Sequence, residues 1–241
     1  MEKISKAQIK LVRSLQQKKF RDELGLFVAE GEKCVEELRK GFELVHLYRE
    51  SENASRVEIE QMSSLRTPQG VIGVFKKSDS KADLQPSGLV LALDGIQDPG
   101  NLGTIIRTCD WFGVHHIFCS PDTADCYNPK VVQATMGALA RVQLHYVDLP
   151  AFISTFNGPV FGTLLDGKNM YDVLQETKAD SQEPQAIIIM GNEGNGISEE
   201  VRKLVTHPIR IPSYPNKEAS DVVESLNVSI ATAIVLAAFR H

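Results

Sequence analysis

The stretch Leu89-Val-Leu-Ala-Leu-Asp-Gly-Ile-Gln-Asp-Pro-Gly-Asn-Leu-Gly-Thr-Ile-Ile-Arg107 decides how the rest of the chain reads. Five apolar residues run into a turn rich in Gly and Pro. Apolar positions then recur at helical spacing through Ile105, Ile106 and Cys109. A buried strand that turns directly into a helix is the repeating unit of a parallel α/β sheet. Working downstream, short apolar segments at 115–119, 141–147, 159–165, 186–190 and 208–211 alternate with helical segments at about 101–112, 128–139, 149–156, 168–177, 198–205 and 224–240. Asn128-Pro129 supplies a helix cap followed by proline at the first helical position, and Gly113 closes the helix before it. Residues 89–241 are therefore expected to form a mainly parallel sheet with helices on both faces. In such sheets ligands sit beyond the carboxyl ends of the strands, so the loops there are where chemistry is sought.

Upstream, strands at 26–29, 44–48 and 71–75 with helices at 32–40 and 55–65 predict a separate small α/β domain over 1–77. Residues 78–88 are polar, contain Pro and Gly, and read as a linker. The first 21 residues carry seven basic side chains and one acid, a balance of +6 in a chain of 241 residues whose net charge is −5. Ser5 is placed to cap a helix whose apolar stripe is Ile4, Ile9, Leu11, Val12 and Leu15. The basic remainder is either a solvated face or one that meets RNA. The overall negative charge argues against nucleic-acid binding by bulk electrostatics.

Cys34, Cys109, Cys119 and Cys126 form no C-x-x-C pair and no zinc-finger spacing, so reduced cysteines and no metal are expected. The start lacks the apolar stretch of a signal peptide, and the longest apolar run, 230–239, is far short of a membrane span. A cytoplasmic protein without membrane association is expected.

Three loops stand out. In the first, Asn101 is expected at a helix N-cap, and Arg107 follows Gly103 by four residues, so the glycine is expected to leave open space beside the guanidinium. Arg107 reads either as an ordinary surface arginine or as one half-buried in a cleft. The second is Gly191-Asn-Glu193-Gly194-Asn-Gly196, where three glycines in six residues permit close backbone approach to a ligand or simply serve turn geometry. Its spacing fits neither a dinucleotide fingerprint nor a P-loop. Ser198 is expected to cap the helix that follows, with Glu199 and Glu200 in its first turn. In the third, Ser225, Asn227 and Ser229 gather at the start of an apolar terminal helix, and capping accounts for one of them rather than all three.

Together these loops resemble the three signature motifs of the SpoU (TrmH) family of RNA ribose 2'-O-methyltransferases. Asn101-x-Gly103-x-x-x-Arg107 is similar to the first, Gly191-Asn-Glu193-Gly194 with Gly196 to the second, and Ser225-Leu-Asn227-Val-Ser229 to the third. Phe27-Val-Ala-Glu30-Gly31 with Lys33, and Thr67-Pro68-Gln-Gly70-Val71, carry a weaker similarity to the L30e-like substrate-binding domain of longer members. The resemblance implies an α/β-knot (SPOUT) fold with a trefoil-threaded C-terminal segment and a homodimer formed through the catalytic domains. It implies S-adenosylmethionine as cofactor, held mainly by backbone atoms, with Gly191, Ile211, Leu226 and, more weakly, Leu164 as binding residues. Glu193, Ser225 and Asn227, with Asn101, would shape the active site around Arg107. The loop 212–225 is longer than the family's usual one, and its contacts do not carry over.

The implied reaction is attack of a ribose 2'-oxygen on the cofactor's methyl group, on rRNA in the first reading, on tRNA in the nearest alternative. A non-catalytic RNA-binding protein is the competing class. Family accounts give the hydroxyl proton to the arginine matching Arg107. A free guanidinium does not normally surrender its proton, so the reading preferred here is that Arg107 stabilises the developing alkoxide and grips the adjacent phosphate.

Overall fold

The structure is a computed structural model that describes residues 4–78, 88–177, 185–214 and 225–240. In chain order the first elements are α1 (Lys6–Ser14), α2 (Lys18–Leu24), β1 (Leu26–Glu30), α3 (Glu32–Leu38), β2 (Leu44–Arg49), α4 (Arg56–Met62) and β3 (Val71–Lys76). There follow β4 (Leu89–Asp94), α5 (Pro99–Trp111), β5 (His116–Cys119), α6 (Pro129–Thr135), β6 (Gln143–Tyr146), α7 (Leu149–Ser154) and β7 (Val160–Asn169). The chain continues with α8 (Met170–Thr177), β8 (Ala186–Gly191), α9 (Glu199–Arg202), β9 (His207–Arg210) and α10 (Val228–Arg240). It divides into two compact units: Met1–Lys81 with Leu102–Arg107 and Asp125–Arg141, and Ala82–Asn101 with Thr108–Ala124 and Val142–His241.

The first unit holds a three-stranded antiparallel sheet in the order β1-β3-β2. Ser5 caps α1 as expected. Its side chain accepts from the Gln8 backbone N–H while Gln8 reaches back to the Ser5 N–H, a reciprocal capping box. Ile4, Ile9, Val12 and Leu15 pack on Val28, Tyr48, Ile59 and Ile72. Arg21, on α2, is only 2% exposed. It is fully engaged, donating to the Leu15 and Gln16 carbonyls at 2.9 Å and to Asp125 Oδ2 at 2.7 and 3.1 Å.

Gly103 overturns one expectation. Its position is buried, and a Cβ there would meet the Ala134 Cβ at 2.4 Å and the Val131 carbonyl at 2.9 Å. The glycine therefore serves close packing of α5 against α6 and leaves no open space for a guanidinium.

The second unit is built on a parallel six-stranded sheet ordered β6-β5-β4-β8-β7-β9. β4 and β8 lie at its centre, which is why Leu89–Leu93 and Ala186–Met190 are apolar without alternation and buried throughout. The expected parallel α/β sheet is thus observed, with local differences at the ends of its elements. The helix expected over 198–205 is a single turn, and the terminal helix begins at Val228 rather than 224. The helix expected to reach 139 ends at Thr135, because Met136 and Gly137 take positive φ of 51° and 90°. Gly113, at φ 66°, ends α5 as expected, with the Val114 N–H bonded to the Cys109 carbonyl at 2.8 Å.

Of the expected linker 78–88, residues 79–87 lie outside the described residues, as do 215–224 of the long loop and of the segment that would thread a knot. Among the described residues no helix is long and apolar enough to cross a membrane, and no cluster of three metal-ligating side chains occurs.

Candidate functional site

The strand order reverses direction between β4 and β8. From β4 the chain builds outward through β5 and β6, then returns to lay down β7, β8 and β9 on the other side. A crevice forms at such a switch point, beyond the carboxyl ends of the two strands. There the loops after Asp94 and Gly191 lie side by side, since Asp94 pairs with Gly191 in the ladder.

The loop after β4 is organised by Asp98, which sequence reasoning passed over. Asp98, not Asn101, is the N-cap of α5, and its carboxylate accepts from the Asn101 backbone N–H at 2.8 Å. The reason is Pro99, whose missing N–H and fixed φ suit the first helical position, so the helix starts earlier than expected. A cap three residues upstream leaves the Asn101 side chain unoccupied by capping.

That side chain joins the other two loops. Asn101 Nδ2 donates to Glu193 Oε1 at 2.5 Å, and Asn227 Nδ2 donates to Asn101 Oδ1 at 2.9 Å. Asn227 Oδ1 in turn accepts from the Ser229 backbone N–H at 2.9 Å and the Ser229 hydroxyl at 2.6 Å. Asn227 thereby fills the capping role at the start of α10, while Ser229 is buried and orients it. Glu193, Asn101, Asn227 and Ser229 form one chain of hydrogen bonds across positions 92 and 126 residues apart in sequence. Ser225, by contrast, is exposed and stands outside this chain of bonds.

The loop after β8 is shaped by Asn192. Its Oδ1 accepts from the Gly194 and Asn195 N–H groups at 2.8 and 3.1 Å, and its Nδ2 donates to the Gly95 carbonyl at 2.7 Å. Backbone bonds of 2.9–3.0 Å between Asn192 and Gly196 close the loop. Gly191 is required by this folding back, since a Cβ would lie 2.4 Å from both the Gly196 carbonyl carbon and the Ile197 nitrogen. An asparagine that bonds the backbone two and three residues on is a recognisable turn former, and that was the signal available in the sequence. Ser198 occupies the N-cap position of α9, but its side chain makes no capping bond; its N–H donates to Asp94 Oδ2 at 2.7 Å.

Three of the four positions expected to hold a cofactor lie toward the carboxyl ends of adjacent strands. Gly191 ends β8, and Ile211 follows β9. Leu164 lies inside its strand, which continues past the expected end at 165 to Asn169, and it opens a bulge between Thr163 and Lys168. Because β8, β7 and β9 are adjacent, these three positions fall within about 10 Å across the sheet. All three are half-buried, and Leu226 is 50% exposed. Backbone groups flanked by apolar side chains suit a ligand with a flat apolar ring and a few polar edges. Arg107, on α5, is exposed and makes no ion pair among the described residues, so its guanidinium has all its donors available. Cys109, on the same helix, is fully buried, and burial pushes its thiol up, which removes it as a nucleophile.

Residues 88–237 match the model of the SpoU rRNA Methylase family, and residues 6–64 match that of an MRM3-like substrate binding domain. An uncharacterized tRNA/rRNA methyltransferase of Synechocystis is 35% identical over 178 residues, which are 73% of this chain and 62% of that protein's length. The Bacillus subtilis 23S rRNA (guanosine(2553)-2'-O)-methyltransferase RlmP is 27% identical over 98% of this chain and 97% of its own. The crystal structure of an AdoMet-bound rRNA methyltransferase from Sinorhizobium meliloti superposes with a TM-score of 0.83 at 30% identity, covering 99% of this chain and 97% of that one.

Proposed function

The chain belongs to the SpoU rRNA methylase family, and from that premise we propose that it transfers a methyl group from S-adenosylmethionine to a ribose 2'-hydroxyl of ribosomal RNA. The observation that carries the reading is the hydrogen-bond chain from Glu193 through Asn101 and Asn227 to Ser229, which fastens together the three loops bearing the family's motifs. Residues 89–241 would carry the reaction and residues 1–77 would hold the RNA.

When bound, the cofactor supplies an electrophilic methyl group; the protein's task is to align the atoms and manage the hydroxyl proton. Gly191, Leu164, Ile211 and Leu226 would hold the cofactor through backbone atoms and apolar side chains. Glu193, Asn101 and Asn227 would fix the mouth of the site, and Ser225, exposed two residues before Asn227, would meet the nucleotide. Arg107 would place its free donors on the 2'-oxygen and the neighbouring phosphate. A guanidinium stays charged through the working pH range, so its contribution is stabilisation of the alkoxide as charge develops.

A homodimer is the proposed assembly. It is supported by Ile230 and Trp111, which are 52% and 84% exposed in the catalytic segment. The four cysteines are all buried and form no disulfide among the described residues, in keeping with a reducing cytoplasm.

The test is calorimetric titration of S-adenosylhomocysteine, with sedimentation of the same samples. Wild type and Arg107→Ala should bind it equally, as dimers, while only wild type methylates RNA. Loss of cofactor binding in Arg107→Ala would remove Arg107 from its proposed role.

A further inference from the structure

The seven basic residues of the first 21 do not share one role. In the unit that holds them, most cations are consumed by carboxylates. Arg21 is spent on Asp125, and Lys18 and Lys77 both close on Asp22 at 2.6 Å. Arg39, Lys40, Arg56, Lys76 and Arg141 each face a glutamate within 3 Å.

Among the cations that are not so paired, three stand together on helix α1. Lys6, Lys10 and Arg13 are all exposed, the helix carries no acidic residue, and none of the three makes an ion pair among the described residues. Positions 6, 10 and 13 are separated by four and three residues. They therefore form a single stripe rising about 6 Å and then about 4.5 Å along the axis.

The stripe is also held still. The opposite face of α1 is packed through Ile9 and Val12, Ser5 and Gln8 cap its start, and Arg21 binds the carbonyls of Leu15 and Gln16 at its end. Three uncompensated charges on a fixed helix repel one another and collect counterions, a cost that is relieved when a polyanion of similar repeat replaces those ions. A single small anion cannot reach all three. A strand of linked phosphates can.

We propose that Lys6, Lys10 and Arg13 bind the phosphodiester backbone of the RNA substrate, independently of its base sequence. The inference rests on the RNA reading above and adds to it which part of the RNA is gripped and by which side chains. Lys18, although equally basic in sequence, takes no part, because it lies on α2 outside the stripe and is held in an ion pair with Asp22.

The test is the salt dependence of binding to an unmodified 23S rRNA transcript, alongside methyl transfer to the same RNA. Neutralising all three by Lys6→Gln, Lys10→Gln and Arg13→Gln should lower the slope of log K against log salt by about 2–3, since each phosphate that is no longer neutralised lowers it by about 0.7–0.9. Lys18→Gln should leave the slope unchanged, and S-adenosylhomocysteine affinity should be the same in all variants. If wild type methylates RNA but the triple variant keeps its slope, or Lys18→Gln lowers the slope as much as one of the three, the proposal is wrong while the functional reading stands. If wild type neither binds nor methylates RNA, both fall.

Discussion

Replacing Asn101 by aspartate changes one atom of the side chain and reverses one interaction. In the native site Asn101 donates to Glu193 Oε1 at 2.5 Å and accepts from Asn227 at 2.9 Å. The Asn101→Asp variant keeps the acceptor toward Asn227 but loses the donor toward Glu193, setting two carboxylates against each other. The lost bond to a charged acceptor is worth about 1.5–3 kcal/mol where it is protected from water. The new repulsion lies between about 1 kcal/mol in bulk water and about 4 kcal/mol near a protein surface. Glu193 is exposed, so each contribution falls to about 1 kcal/mol or less, about 1–2 kcal/mol in all. At 1.36 kcal/mol per tenfold, methyl transfer should fall by about 10-fold. Asn101→Ala removes both links without adding charge, so comparing it with Asn101→Asp separates the lost bonds from the new repulsion. The assay is the ratio of variant to wild-type methyl transfer at neutral pH. Near-normal transfer by Asn101→Asp would show that the chain of bonds does not organise the site.

Two further substitutions test the packing beneath the site. Gly191→Ala drives a Cβ to 2.4 Å from backbone atoms of Gly196 and Ile197, which cannot rotate away. It should cost about 1–3 kcal/mol in urea unfolding and weaken S-adenosylhomocysteine binding; unchanged affinity would remove that loop from the cofactor site. Arg21→Ala leaves Asp125 only 12% exposed and without its partner, and should cost about 3–5 kcal/mol. A loss below about 1 kcal/mol would mean that the buried pair does not anchor α2.

The parallel sheet was legible because buried central strands such as Ile187-Ile188-Ile189 leave no other pattern, and the helix ends at Asn128-Pro129 and Gly113 follow from local chemistry. What the sequence misplaced came from competition between neighbours. Asn101 and Asp98 are both good caps, and only the proline after Asp98 decides between them. Gly103 signals room for something to approach, but whether that is a guanidinium or α6 depends on a helix about thirty residues away. The roles of Asn192 and Asp94 rest on partners in other loops, Gly95 and Ser198, which no spacing rule brings together.

A methyl group placed on a ribose oxygen of ribosomal RNA is read directly by alkaline hydrolysis. The protein is incubated with methyl-labelled S-adenosylmethionine and an unmodified 23S rRNA transcript, and the product is hydrolysed in base. A 2'-O-methyl blocks cleavage of the adjacent linkage, so label is expected in a single alkali-resistant dinucleotide, absent when Arg107→Ala is used. Label released as mononucleotides, which marks methylation of a base, or no label from wild type, would contradict the proposed reaction.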